Sequence, residues 1–599
     1  MSRFFKSILI LTFFINNFSF ANNIYEEIEQ NKIYNSHIWK SLLHINSDKP
    51  SINSKDFLFS FDDFSLKNEL LKNVEQIKNN KHYPCKFPAR YLWLTTNFPE
   101  LKELKQDNIE CREFNEYLEK TNADSIDLIF VSENIKNPSS MMGHIFFKIN
   151  GFYDDKKREN SISFFTILNH LNIPILAYES IIKGMNGYFI LSPYQTQIFN
   201  YVNKEERNIW EYKLNLTAEQ QKLIYYHFWE LKDIDITYYF TNFNCATIID
   251  NMLSISSEDY YFEPISFWLT PKDVVKRANK FKLIQLSNTL PSLEWSLYMI
   301  NENLDKKNIE RLKSQIDDKN INSIRFSIEN NNLSKLEIEF IRNYTKYLYI
   351  KKGILEYQEY KNIINLLNKD DLDFIDYSNY KNPINTQDSK QLSIGYLQKD
   401  KENFTKLGLL LAGNTLYDDN RNYFSENSLQ IGNIEILANK SEIFLNKIDF
   451  YDMKSYLPIN NILTDLSSEF AISYYNKFNN LYINNSLLIK GGVGLSNKLS
   501  ADTFLYYLAN FEVYIDKSYI YPVIKPKAGL NIYEILDMKT VLEYEYEYNL
   551  RKIDYSFHKL SLNQSINIDN NHRFDLNLKI MKNNKRENKI YSFTYNYFF

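Results

Sequence analysis

MKTVLEYEYEYNLR, residues 538–551, alternates with a period of two. Met538, Thr540, Leu542, Tyr544, Tyr546, Tyr548 and Leu550 fall on one face of an extended chain, and Lys539, Glu543, Glu545, Glu547, Asn549 and Arg551 on the other, because successive side chains of a strand point to opposite sides. RFDLNLKI (573–580) repeats the pattern, with Phe574, Leu576, Leu578 and Ile580 alternating with Asp575, Asn577 and Lys579. One such strand also fits a soluble sandwich with a wet outer face.

Number and ending separate the two. Strands of this type start near residues 391, 405, 427, 441, 467, 486, 500, 519, 537, 556, 571 and 588, an even set of suitable length for a closed barrel with lipid outside and a polar lumen. The chain ends YSFTYNYFF (591–599), with Tyr591, Phe593, Tyr595, Tyr597 and the terminal Phe599 on one face. That ending resembles the signal by which outer-membrane barrels are assembled, so barrel-assembly machinery and outer-membrane lipid are expected partners.

The other end of the chain agrees. MSRFFKSILILTFFINNFSFA (1–21) has basic Arg3 and Lys6, a short apolar run from Ile8 to Ile15, and a Ser19-x-Ala21 ending, which reads as a cleaved secretory signal. No later stretch is apolar for long enough to be a membrane helix, and no cysteine follows the cleavage point to carry a lipid. With 70 Lys and Arg against 74 Asp and Glu, nothing suggests a nucleic-acid partner.

Between these ends the chain divides. Residues 22–124 have mostly helical spacing; 125–292 mix strands (SIDLIFVSEN, HIFFKIN, SISFFTILNH) with an amphipathic helix, TAEQQKLIYYHFWELK, whose Thr217 and Gln220 form a capping-box pattern. Residues 293–388 return to helical spacing as a spacer, and 389–599 are the barrel. The expected fold class is therefore an α+β domain with helical N-terminal and spacer segments, followed by a transmembrane antiparallel β-barrel.

An exported chain with three cysteines pairs two and leaves one. Cys85 and Cys111 share a segment far upstream of Cys245 and are the expected disulfide, leaving Cys245 as the free thiol. No CxxC or HxxxH spacing occurs among the 3 cysteines and 8 histidines, so neither a metal nor another cofactor is expected.

Cys245 lies in FTNFNCATIIDNML, where Ile248, Ile249, Met252 and Leu253 have helical spacing. A thiol at a helix start gains a lowered pKa and backbone N–H groups for an oxyanion. Its base must come from elsewhere. His144, after Gly143 at the start of an apolar strand in NPSSMMGHIFFKI, is poorly explained by packing and is the best candidate; His170 and His227 compete, but core packing explains His227. Asn244 fits either a helix cap or an oxyanion donor.

NPSSMMGHIFFKI, GYFILSPY, ERNIWEYKLNLTAEQQKLIYYHFWEL and YYFTNFNCATIIDNML resemble, in that order, the Lnb N-terminal periplasmic domain family over about residues 125–290. CKFPARYLWL resembles the helical segment that often precedes this domain, and the C-terminal strands resemble the barrel module that follows it in many members. The resemblance implies a permuted papain-like, NlpC-type fold, with His144 as base and Cys245 as nucleophile. A third group orienting the imidazole would come from the strand after His144, where Ser163, Thr166 and Asn169 all fit; Arg207, Trp210 and Glu230 lie in matching blocks. The family implies acyl transfer from a phospholipid to a lipoprotein amine, and its NlpC-type relatives imply cleavage of peptidoglycan peptides. A barrel-anchored interaction module with a merely buried Cys245 is the non-enzymatic alternative.

Overall fold

A computed structural model describes residues 24–46, 49–103, 110–121, 123–134, 142–167, 175, 178–241, 243–262, 268–330, 333–367, 376–377 and 380–599. The leader expected at residues 1–21, most of the Ser-Ser-Met-Met turn, Asn169 and His170 lie outside the described residues. Two compact units emerge, one within residues 1–130, 145–197 and 211–287, the other within 131–144, 198–210 and 288–599.

In the first unit the N-terminal helices α1 (Leu66–Asn79) and α2 (Pro88–Asn97) precede α3 (Ala218–Leu231), α4 (Cys245–Leu253) and α5 (Pro271–Lys280). Helix α3 starts at the expected capping box, Thr217 with Gln220, and packs on α2. The sheet has seven strands: β1 (Ser125–Val131), β2 (His144–Tyr153), β3 (Lys156–Thr166), β4 (Met185–Pro193), β5 (Ile209–Leu214), β6 (Ile236–Tyr238) and β7 (Ile284–Leu290). Their order is β6-β4-β3-β2-β1-β5-β7, and β2–β3, β3–β4 and β4–β6 are antiparallel. Phe147 of β2 and Phe189 of β4 meet Phe228 of α3, which seals helix to sheet. The disulfide joins Cys85 and Cys111, 26 positions apart; closing a loop of that size stabilises by about 3 kcal/mol.

The second unit contains helices α6 (Leu293–Asn303), α7 (Lys306–Asp317), α8 (Ile321–Asn330), α9 (Lys335–Tyr347) and α10 (Tyr357–Ile364). It also contains a closed barrel of twelve strands: β8 (Gln391–Lys399), β9 (Glu402–Asn414), β10 (Glu426–Ala438), β11 (Ile443–Tyr456), β12 (Ser467–Tyr475), β13 (Ser486–Lys498), β14 (Thr503–Ile515), β15 (Ile520–Tyr533), β16 (Met538–Asn549), β17 (Phe557–Asn567), β18 (His572–Lys582) and β19 (Glu587–Phe598). Each strand pairs antiparallel with the next, and β8 pairs with β19 to remove both edges, as a strand structure in hydrocarbon must. Leu542 and Tyr544 point outward at 38% and 45% exposure, while Lys539, Glu543, Glu545 and Glu547 are buried inside. This is the two-faced pattern of residues 538–551 realised in space.

The lumen is full. Lys527 bridges Glu469 and Glu543 at 3.0 and 2.6 Å, and Lys525 bridges Glu512 and Glu547 at 2.6 and 3.2 Å. Loops cross both mouths. At the mouth nearest the strand termini Gln391 and Phe598, residues 415–425 enter the lumen, where Asp418 meets Arg573 of β18 and its carbonyl accepts from Lys539 of β16. At the opposite mouth, residues 476–485 are held by Lys399 of β8, Asn446 of β11, Glu547 of β16 and Arg586 of the β18–β19 hairpin. Phe478 and Leu481 of this loop pack with Leu397, Phe404, Leu437, Phe557, Met581 and Ile590 as an apolar lid.

Candidate functional site

Asn244 caps helix α4: its Oδ1 accepts from Ala246 and Thr247 N–H at 2.8 and 3.2 Å, and Thr247 Oγ1 accepts in return from Asn244 N–H at 2.8 Å. The Asn244 amide nitrogen donates to the carbonyls of Phe240 and Leu269 at 3.0 and 3.4 Å, so the side chain is occupied in holding the turn that presents Cys245. From behind, Asp250 is gripped by Arg277 of α5 and the Tyr260 hydroxyl.

Cys245 is therefore the first residue of a helix, where unpaired N–H groups and the helix dipole favour an anion. Burial opposes this and wins, pushing the thiol up to about 11, against the opposing pull of the backbone N–H groups of Ile145, Ala246 and Cys245 itself and of the Tyr238 hydroxyl. At neutral pH Cys245 is a protonated thiol whose sulfur already faces the donors a thiolate would use.

His144 opens β2, immediately before Ile145. Burial, reinforced by the Arg207 guanidinium, pushes its imidazole down to about 3, so the ring is neutral and competent to accept a proton. Tyr201 lies beside it, with ring centroids 6.0 Å apart. Arg207 is itself fixed by the Ser132 carbonyl at 2.6 Å and Glu205 at 2.9 Å.

Of the groups considered for orienting the imidazole, Ser163 is buried in β3 with no hydrogen-bond partner for its hydroxyl among the described residues, and Thr166 Oγ1 donates to the Asn186 carbonyl at 2.8 Å. Trp210 is buried. Glu230 accepts from Arg90 N–H at 2.9 Å and meets His227 Nδ1 at 2.7 Å, so its carboxylate is occupied in joining α3 to α2. Among the described residues no cluster of His, Cys, Asp and Glu suits a metal ion.

Two features escaped the sequence. Tyr238 reaches the sulfur from the three-residue strand β6, and its only trace is the aromatic run ITYYF upstream of the turn. His44, 183 positions from His227, meets it Nε2 to Nε2 at 3.0 Å in a fully buried cluster.

Residues 113–279 match the Lnb N-terminal periplasmic domain, 31–97 match one domain of unknown function, DUF7843, and 380–598 match another, DUF7840. No curated protein matches the chain. Among solved structures the KdgM porin is 12% identical, with 35% of this chain and 99% of that one covered at a TM-score of 0.23. The outer membrane channel DcaP of Acinetobacter baumannii is 10% identical, with 36% and 96% covered at 0.20. Closure, the apolar outer face and the matched domain together settle the placement: the chain carries an Lnb N-terminal periplasmic domain on the periplasmic side of the outer membrane, ahead of a twelve-stranded barrel that crosses it.

Proposed function

We propose that the periplasmic module is a cysteine-dependent acyltransferase or hydrolase, anchored next to its lipid by its own barrel. The observation that carries this reading is the setting of Cys245: a helix-start thiol with the backbone N–H groups of Ile145, Ala246 and Cys245 itself and the Tyr238 hydroxyl close enough to favour its thiolate. A cysteine buried only for packing has no need of four donors, since a thiol is a weak acceptor.

In the proposed reaction His144 takes the thiol proton as the sulfur bonds to the acyl carbon of a phospholipid ester. The backbone N–H groups at the start of α4 hold the resulting oxyanion. The carbon–oxygen bond to the glycerol then breaks, the leaving oxygen receives the proton from His144, and a thioester remains on Cys245. A lipoprotein α-amine, or water, attacks the thioester and restores the thiol.

The test is to incubate full-length protein in detergent with phospholipid labelled in its acyl chain, quench in acid and look for label on the protein that hydroxylamine removes. Wild type is expected to carry label, Cys245→Ala none, and His144→Ala about 100-fold less or lower still. Label persisting in Cys245→Ala, or release of peptidoglycan stem peptides with no labelled protein, would overturn the assignment.

A further inference from the structure

Residues 516–519 join β14 to β15 and residues 550–556 join β16 to β17, both at the mouth opposite the strand termini Gln391 and Phe598. The chain enters the barrel at Gln391 from the periplasmic side, so these two turns lie at the outer leaflet.

Three cations gather there around one ring. The Arg551 guanidinium lies 4.5 Å and Lys552 Nζ 5.4 Å from the centroid of Tyr519. Lys517 belongs to the same tight turn as Tyr519, which Asp516 N–H closes by donating to the Tyr519 carbonyl at 3.0 Å. All three cations are exposed. Arg551 Nη1 donates to the Ile520 carbonyl at 3.3 Å and Lys552 Nζ to the Tyr555 hydroxyl at 3.4 Å, so both are held in place without being neutralised.

The carboxylates nearby are used elsewhere. Asp516 Oδ1 accepts from the Ser518 and Tyr519 N–H groups at 2.8 and 2.6 Å, and Asp554 pairs with Lys585 at 3.3 Å. Lys517, Arg551 and Lys552 have no ion pair among the described residues. Like charges crowded together repel, and an anion seated among them removes the repulsion.

The border of the patch says which anion. Ile520, Leu550 and Ile553 beside the cations are exposed at 53%, 45% and 66%, and Ile520 and Leu550 end the outward-facing rows of β15 and β16 at this rim. A free ion in water has no use for an apolar border, whereas an amphiphile with a phosphate head matches both parts. We propose that Lys517, Arg551 and Lys552 bind the phosphate of an outer-leaflet lipid headgroup, with the acyl chains of that lipid against Ile520 and Leu550. Charge-assisted hydrogen bonds from the three side chains hold the phosphate, and the contact ties the barrel to its membrane from the outer side, independently of any chemistry at Cys245.

To test this, full-length protein in non-ionic detergent is titrated with bis-phosphorylated lipid A and the bound copies are counted by native mass spectrometry. Wild type is expected to bind this lipid at least about tenfold more tightly than the same lipid stripped of phosphate. Arg551→Gln combined with Lys552→Gln should weaken binding about 25-fold, at about fivefold per cation. Lys401→Gln combined with Lys440→Gln removes the same charge from the β8–β9 and β10–β11 turns across this mouth and should change binding less than about threefold. Equal affinity for the two lipids, equal loss in the two double variants, or displacement of the lipid by an equal concentration of inorganic phosphate, which would mark a free-anion site, would each overturn the proposal. Folding of each variant is read from its heat-modifiable mobility. Should the Arg551 and Lys552 double variant fail to fold, Lys517→Gln is expected to weaken binding about fivefold, and unchanged binding there overturns the proposal equally.

Discussion

Burial keeps both Cys245 and His144 uncharged at neutral pH, which constrains the chemistry proposed for the thiol. A preformed thiolate–imidazolium pair would titrate far below an ordinary cysteine, whereas burial holds Cys245 at about 11 and His144 at about 3. In the proposed reaction, proton transfer must therefore accompany attack. Two expectations follow from these values. The rate of Cys245 alkylation by iodoacetamide should keep climbing past pH 9, with no plateau near the usual thiol value; a plateau below pH 8 would show a resting thiolate and sink this description of the site. Tyr238→Phe removes one donor from the sulfur and should slow thioester formation by about tenfold, while thermal stability changes by less than about 1 kcal/mol; equal loss of stability and rate would make Tyr238 a packing residue only.

Element by element, the site depends on how α4 and α3 are held. Asn244 satisfies two N–H groups at the start of α4, so Asn244→Ala should cost about 1 kcal/mol, measurable by urea unfolding of the full chain, and Asn244→Ser should restore much of it. Helix α3 is tied to the N-terminal helices by a buried polar cluster: His227 and Glu230 on α3, Arg90 on α2, Glu69 on α1, and His44 with a left-handed φ of 51°. Burial lowers the pKa of both His44 and His227; the neighbouring imidazole and Arg90 add to the shift at His44, and Glu230 partly opposes it at His227. Because both folded values lie below the unfolded one of about 6.5, the unfolded chain takes up protons first, and stability present above that pH is lost as pH falls. Amide protection in residues 37–97, corrected for the intrinsic pH dependence of exchange, should accordingly fall between pH 7.5 and 5 before protection in the barrel does, and His44→Gln with His227→Gln should flatten that response. Uniform acceleration across both units would contradict it.

The same elements show what was readable beforehand. Strand starts expected near 405, 441 and 500 fall at Glu402, Ile443 and Thr503, because each barrel strand has lipid on one side and lumen on the other, and the alternation is written locally. Cys245 and His144 stood out because a thiol at a helix start and an imidazole at a strand start are unusual residues in those places. Tyr238 and His44 did not, since their roles depend on pairings between segments distant in sequence. The inward loops 415–425 and 476–485 left no trace either: a segment that plugs a lumen has no period, and its polar residues look like those of any surface turn.

At the scale of the whole molecule, those two loops decide what the barrel is for. A conducting barrel needs a continuous wet path, but here Asp418 and Lys539 bar one mouth, Phe478 and Leu481 bar the other, and ion pairs of Lys525 and Lys527 fill the middle. Helix α6 adds to the first barrier, with Glu302 bound to Lys498 at 2.7 Å and the Tyr298 hydroxyl donating to the Pro458 carbonyl. A barrel barred in this way suits an anchor for the periplasmic module rather than a channel. Wild-type protein in planar bilayers should therefore give no stable conductance steps. Replacing residues 476–485 by a short Gly-Ser turn should leave it silent, because 415–425 still crosses the other mouth. Removing both loops should open steps, but only when Lys525 and Lys527 are also exchanged for smaller neutral residues, since their bridges across the lumen survive loop removal. Steps from the wild type would assign the barrel a transport role, and steps from the first deletion alone would show that the mouth nearest the chain termini is not a barrier.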